Sequence, residues 1–177
     1  MNREGRIIVV MGVSGCGKST IAEHLAQHLE ADFLDADSLH PPSNIEKMSR
    51  GDPLDDSDRA PWLEIVSNDM SRRARKHGIC VTACSSLKRR YRDVLRKAGT
   101  LAFVHLDGDR ELIATRMQAR DGHFMPDSLL DSQFAALEHP GGEPDVFVID
   151  ITPEVRHIAE NAAQALTPFL SSQDLTE

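Results

Sequence analysis

Ile7-Ile8-Val9-Val10-Met11 runs directly into Gly12-Val13-Ser14-Gly15-Cys16-Gly17-Lys18-Ser19, after which Ile21, Leu25 and Leu29 recur at i, i+4 and i+8. The unbroken apolar run suits a strand covered on both faces, and the recurrence is the apolar stripe of a helix. Between them stands G-x4-G-K-[ST], whose glycines let successive backbone N–H groups turn inward around a phosphate. Lys18 brings a positive charge to the β- and γ-phosphates, the Ser19 hydroxyl can ligate Mg²⁺, and the helix N-terminus adds its partial positive charge. The pattern alone occurs by chance; a strand before it and an amphipathic helix after it make it specific. Gly12, Val13, Ser14, Gly15, Cys16, Gly17, Lys18, Ser19 and Thr20 are therefore the expected cradle for a nucleoside triphosphate such as ATP.

Further apolar runs at Phe33–Leu34, Ile79–Ala83, Leu101–Leu106 and Val146–Ile151 alternate with helical patterns, the signature of an α/β fold with a parallel sheet. Ser43-Asn44-Ile45-Glu46 reads as a capping box, with Gly51 as the helix stop. The spacing predicts a longer helix over Pro61–His77, with Trp62, Ile65, Val66 and Met70 inward and Gly78 ending it. Leu87 to Leu95, Leu112 to Met117, Ser128–Leu137 and Val155–Leu166 mark the rest. Residues 38–60, rich in proline and aspartate, and residues 120–127 interrupt the alternation and read as excursions suited to binding loops or lids.

The 177 residues carry 20 basic and 28 acidic side chains, a net charge of −8, which argues against nucleic acid as the main partner. That length suits one domain with its own core, built mostly from aliphatic residues because only eight aromatics are available. No apolar run approaches the roughly 20 residues of a membrane span, and Ile7–Met11 is too short for a signal peptide. Three cysteines, Cys16, Cys80 and Cys84, cannot all pair and form no C-x2-C pattern, so a reducing cytoplasm and packing roles are expected.

No [NT]-K-x-D element of a guanine-reading switch is present. A kinase for a small hydroxyl acceptor needs a carboxylate near that hydroxyl, cations to follow the migrating charge, and a cavity that keeps water out. Asp35 and Asp37, two apart at the end of the second strand, share a side if the backbone stays extended, and strand ends open onto the ligand crevice. One can hold a Mg²⁺-bound water while the other accepts the substrate proton. Arg116 and Arg120 share a helix face before the 120–127 segment and are expected to clamp phosphates as a lid closes.

Met11 through Ser19, Phe33-Leu34-Asp35-Ala36-Asp37-Ser38-Leu39-His40-Pro41, Asn44 to Met48, Gly51-Asp52-Pro53-Leu54 with Asp58-Arg59-Ala60-Pro61-Trp62-Leu63, Cys84 to Lys88 with Tyr91-Arg92-Asp93, Arg116 through Phe124, and Gln133-Phe134 with Leu137-Glu138 and Pro140 resemble the bacterial gluconate kinases. The resemblance covers residues 7 to 151; its Leu-His-Pro and Arg-x-Pro-Trp-Leu elements discriminate better than the phosphate loop. It implies transfer of the γ-phosphoryl group of ATP, with Mg²⁺, to the 6-hydroxyl of D-gluconate, and often a homodimer. It also implies a nucleoside-monophosphate-kinase-like P-loop fold: one α/β/α domain over residues 1–177, a five-stranded parallel sheet, a substrate-binding insertion near 38–77 and a lid near 118–128. The family usually has Gly where Ala36 stands, and a commoner Ser or Ala where Cys16 stands.

Residues and resemblance together make Asp37 the expected base and Asp35 the magnesium-side carboxylate. Arg59 is the candidate for the gluconate carboxylate, with His40, Lys88 and His123 as further ligand contacts. His105, alternating into a strand, reads as a satisfied core histidine, and Trp62 as a packing anchor. A kinase for shikimate or a nucleoside monophosphate, and a non-catalytic nucleotide-binding module, remain the alternatives.

Overall fold

A computed structural model describes residues 5–119 and 127–172. Its five strands, β1 (Arg6–Met11), β2 (Asp32–Asp35), β3 (Ile79–Ala83), β4 (Leu101–Asp107) and β5 (Val146–Asp150), form one parallel sheet in the order β2-β3-β1-β4-β5. Central β1 pairs Val9 with Thr82 of β3 and with Phe103 of β4. Because successive side chains alternate, Ile8 and Val10 enter one core and Ile7, Val9 and Met11 the other. Helices α1 (Lys18–His28), α5 (Arg110–Gln118) and α7 (Val155–Ala165) cover the first face through Leu25, Ile113 and Ile158. Helices α3 (Asp56–His77) and α4 (Arg89–Arg96) cover the second through Trp62, Met70 and Leu95. The architecture is the expected three-layer α/β/α fold. Helices α2 (Pro42–Ser49), α6 (Asp127–Ala136) and α8 (Thr167–Ser171) complete it.

Four local expectations are corrected. Helix α3 begins at Asp56 rather than Pro61, because Asp55 and Asp58 form a reciprocal capping box that starts it one turn earlier. Pro61 then lies inside the helix, forgoing a ladder bond. Ile65 is 42% exposed, since the buried stripe through Trp62, Val66 and Met70 leaves it on the far side. Helix α2 carries no side-chain cap: it starts at Pro42, and Asn44 is buried, giving its amide to His40 Nδ1 at 3.2 Å and to the Asp58 carbonyl at 3.1 Å. His105 is buried as expected, but its Nδ1 has no hydrogen-bond partner, so it is not a satisfied core histidine.

The cysteines and Trp62 match their reading. All three thiols are free and buried. Burial raises Cys16 and pushes Cys80 and Cys84 up to about 11. Trp62 is buried and donates Nε1–H to the Ala36 carbonyl at 2.8 Å.

Candidate active site

The phosphate loop links the carboxyl end of β1 to α1. Gly17 stands at the helix N-cap with φ 95°, and Gly15 has φ 82°. These values fall in the left-handed region, which a residue without Cβ enters at no steric cost. Gly15 is also a close approach: a Cβ there would lie 2.4 Å from Met117 Sδ of α5. The Lys18 ammonium rests on the Val13 carbonyl at 3.1 Å. Ser14 presents its backbone N–H and its hydroxyl to Gln133 Oε1 of α6, each at 3.3 Å. An oxygen acceptor thus already lies against the rim of the cradle.

Beside the loop, β2 ends at Asp35 and the chain turns into a 3-10 segment, Ala36–Leu39. The extended geometry assumed for the Asp35/Asp37 pair therefore does not hold. Asp35 instead caps the turn, accepting the Asp37 N–H at 3.0 Å. Asp37 is carried into the open, with 81% of its side chain exposed, and faces His40 Nε2 at 3.7 Å. His40 stacks on Trp62 with ring centroids 4.2 Å apart. Burial lowers the His40 pKa while the Asp37 charge acts against that, so its Nδ1 is free to accept from Asn44. The buried Cys84 thiol, just past β3, feels the charges of both Asp37 and Lys18.

A cluster of cations lies on the neighbouring wall. Arg59, Lys88 and Arg90 surround the Tyr91 ring, their charged centres 5.8, 5.6 and 5.8 Å from its centroid. Asp56 accepts from Lys88 at 3.1 Å and also from Arg90 and the Tyr91 hydroxyl. The hydrogen bonds from Tyr91, foremost, and Lys88, with the charge of Arg90, hold the Asp56 carboxyl below its usual range. Arg59 reaches the Leu54 carbonyl. The segment carrying Lys88 is held from below by Arg92, which is fully buried and donates to the carbonyls of Ser86 at 2.8 Å and Leu87 at 3.1 Å. Its remaining donors go to the Glu138 carbonyl and the Glu143 carboxylate.

Arg116, expected to clamp phosphates, is held by backbone carbonyls beside the phosphate loop. Its guanidinium donates to the carbonyls of Ile151, Thr152 and Pro153 after β5. It lines a cavity of about 340 Å³ with Gly15, Gly17, Thr20, Glu154 and Val155. Arg120 and His123 lie outside the described residues. Ser19 is exposed on the first turn of α1, so its hydroxyl faces solvent beside the cradle. Gln133, Arg92, Tyr91, Asp56 and Val155 were not singled out from sequence. Gln133, Arg92 and Tyr91 fell within resemblance segments, but no spacing tied any of the five to the loop.

Comparison with known proteins shows the family. The family model described as shikimate kinase matches residues 14–134. The thermosensitive gluconokinase of Escherichia coli is 48% identical, covering 92% of this chain and 88% of that protein. The thermoresistant gluconokinase of the same organism is 42% identical, covering 93% and 95%. The crystal structure of a gluconokinase from Sinorhizobium meliloti superposes with a TM-score of 0.86 at 43% identity, covering 96% of this chain and 99% of that one. With such identity along nearly its whole length, on a phosphate loop, a strand-end acid and a cationic wall, the chain belongs to the gluconokinase family of P-loop kinases.

Proposed function

We propose that the chain transfers the γ-phosphoryl group of ATP to the 6-hydroxyl of D-gluconate, giving 6-phosphogluconate and ADP. The observation that carries this reading is the identity of 42–48% to proteins named gluconokinase over more than nine tenths of the chain. The site is consistent with it. Arg59, Lys88 and Arg90 gather more positive charge around Tyr91 than Asp56 neutralises, which suits an anionic acceptor better than a neutral polyol. In this reading the gluconate carboxylate lies on Arg59 and Lys88. The sugar chain extends past His40, and the 6-hydroxyl meets Asp37.

The backbone N–H groups of residues 12–20 and the Lys18 ammonium hold the triphosphate and take up charge as the terminal group leaves. Ser14 exchanges Gln133 Oε1 for a phosphate oxygen, so nucleotide binding frees α6 from the loop. The cavity beside Arg116 and Val155 receives the adenine, and Arg116 serves the base side of the nucleotide. Asp37 accepts the hydroxyl proton as the oxygen attacks phosphorus and the bond to ADP breaks. Its exposure leaves it free to meet a substrate, and His40 faces one of its oxygens. Oxygen donors suit Mg²⁺: the Ser19 hydroxyl and the free carboxylate oxygen of Asp35, through water, would hold it. When bound, that ion neutralises the phosphate charge. Arg120 and His123 keep their proposed roles on the lid, and residues 38–77 and 118–128 those of substrate insertion and lid. A cytoplasmic homodimer completes the proposal; light scattering on the purified chain checks the dimer.

A coupled ADP-release assay tests the substrate. Saturable turnover with D-gluconate and none with shikimate is expected. Turnover with shikimate or a nucleoside monophosphate alone would overturn it.

A further inference from the structure

At the end of β4, His105 and Asp107 are two residues apart on one strand and therefore project from the same face of the sheet. His139, from the segment after α6, lies against both. One ligand atom from each of the three lies within 4.8 Å of the others, and no other such group occurs among the described residues. His139 Nε2 and Asp107 Oδ2 are 3.6 Å apart, close to the about 3.3 Å edge of a tetrahedron with metal–ligand bonds near 2.0 Å. The two imidazoles meet edge to face, with centroids 5.0 Å apart.

The decisive atom is His105 Nδ1. His105 is 1% exposed, and this nitrogen is the single buried side-chain polar atom without a hydrogen-bond partner among the described residues. A buried imidazole nitrogen without a partner costs about 1–3 kcal/mol, unless something outside the protein satisfies it. His105 forms the floor, while the side chains of Asp107 and His139 are 45% and 51% exposed and leave an entrance. The Gly141 N–H donates to His139 Nδ1 at 3.1 Å, so in the metal-free chain Nε2 carries the proton, and a metal at Nε2 has to displace that proton and break this contact. Arg92 is paired with Glu143, although its positive charge still reaches His105.

We propose that His105, Asp107 and His139 form a binding site for a divalent transition metal of the zinc class, separate from the Mg²⁺ that accompanies ATP. Two imidazoles and one carboxylate are a donor set for zinc, cobalt or nickel rather than magnesium, which takes oxygen. Three protein ligands leave a fourth position for water. The metal ties the segment after α6 to the sheet. Six residues earlier that helix lays Gln133 on Ser14 of the phosphate loop, so the tie braces the side of the site that must move when nucleotide enters.

The test is titration of the metal-stripped, full-length chain with Co²⁺ and Zn²⁺ in excess Mg²⁺, without nucleotide. Isothermal calorimetry, the visible Co²⁺ spectrum and thermal melting are the readouts. One equivalent per chain is expected, with the intense visible bands of a four-coordinate nitrogen–oxygen site and a raised Tm. His139→Ala, at a half-exposed loop position, is expected to fold and to weaken binding by at least about tenfold. Asp107→Asn should do the same. A variant with both His24 and His28, exposed on α1, changed to Gln should bind as the parent does. Absence of saturable binding, equal binding by His139→Ala, or loss of binding in the His24/His28 variant would each overturn the proposal.

Discussion

The Asp37 carboxylate is open to solvent, while its backbone is set by a capped turn. The 3-10 turn capped by Asp35 sets its backbone, and His40, pinned between Asn44 and Trp62, faces one of its oxygens. Asp37→Asn preserves the shape and removes the proton acceptor. Turnover should fall by about 10²-fold or more while calorimetry still detects ATP binding; an unchanged rate would transfer the role to another group. Arg59 offers a different signature. Removal of a charge-assisted contact costs about 1.5–3 kcal/mol. Arg59→Ala should therefore raise KM for gluconate about tenfold or more with a smaller change in kcat, measured by initial rates over a gluconate series. Equal losses in both would mean that the guanidinium acts at the reacting centre.

Helix α3 shows how one element serves both packing and the site. Its buried stripe closes the second core, while its first turn supplies Asp56 and Arg59 to the cationic wall. That turn depends on the Asp55–Asp58 capping box. Hydrogen bonds from Ser57 and from the Asp58 N–H hold Asp55 down to about 2. Asp55→Ala should lower stability by about 1 kcal/mol, read as a drop in Tm, and should also weaken gluconate binding because Arg59 loses its fixed start. A fall in Tm with no change in KM would separate the cap from the site. The cap pattern is present in the sequence as Asp55-x-x-Asp58. An apolar-periodicity reading passes over it because Pro61 suggests a boundary, although a proline one turn inside a well-capped helix is tolerated.

Across the whole molecule, Arg92 is the joint. From α4 it binds the carbonyls of residues 86 and 87, the carbonyl of Glu138 and the carboxylate of Glu143, fastening the loop before Lys88 to the segment after α6. Removing one partner of a buried ion pair costs about 3–5 kcal/mol. Arg92→Ala should therefore lower the denaturation midpoint strongly, and much more than Arg90→Ala on the exposed wall. The same joint sets the response to acid. Burial tends to raise the Glu143 pKa, but the hydrogen bonds from Arg92 and Arg96 overrule it and hold the carboxyl at about 2, against an ordinary 4.5. A carboxyl depressed by folding contributes stability that is complete above its unfolded pKa and is lost as pH falls through the folded value. Melting from pH 5 down to pH 2 should show that loss. In Glu143→Gln the starting Tm should be lower and the dependence over this window shallower; an identical slope would place the acid sensitivity elsewhere.

The local pieces were legible in the sequence by itself: the alternation of strands and helices, the nucleotide cradle of residues 12–20, and the acid-rich end of β2. Each depends on neighbours within a few residues, where backbone sterics and periodicity leave little choice. The family resemblance carried the reading on to the acceptor. Only the tertiary structure decided that Asp37 leaves the strand on a 3-10 turn, and that Arg116 turns toward the carbonyls after β5. The same holds for Gln133 resting on Ser14 and for His105 and Asp107 meeting His139. The contacts of Arg116, Gln133 and His139 join residues 32 to 119 positions apart, and no local spacing encodes which side chain will find which partner once the sheet has closed.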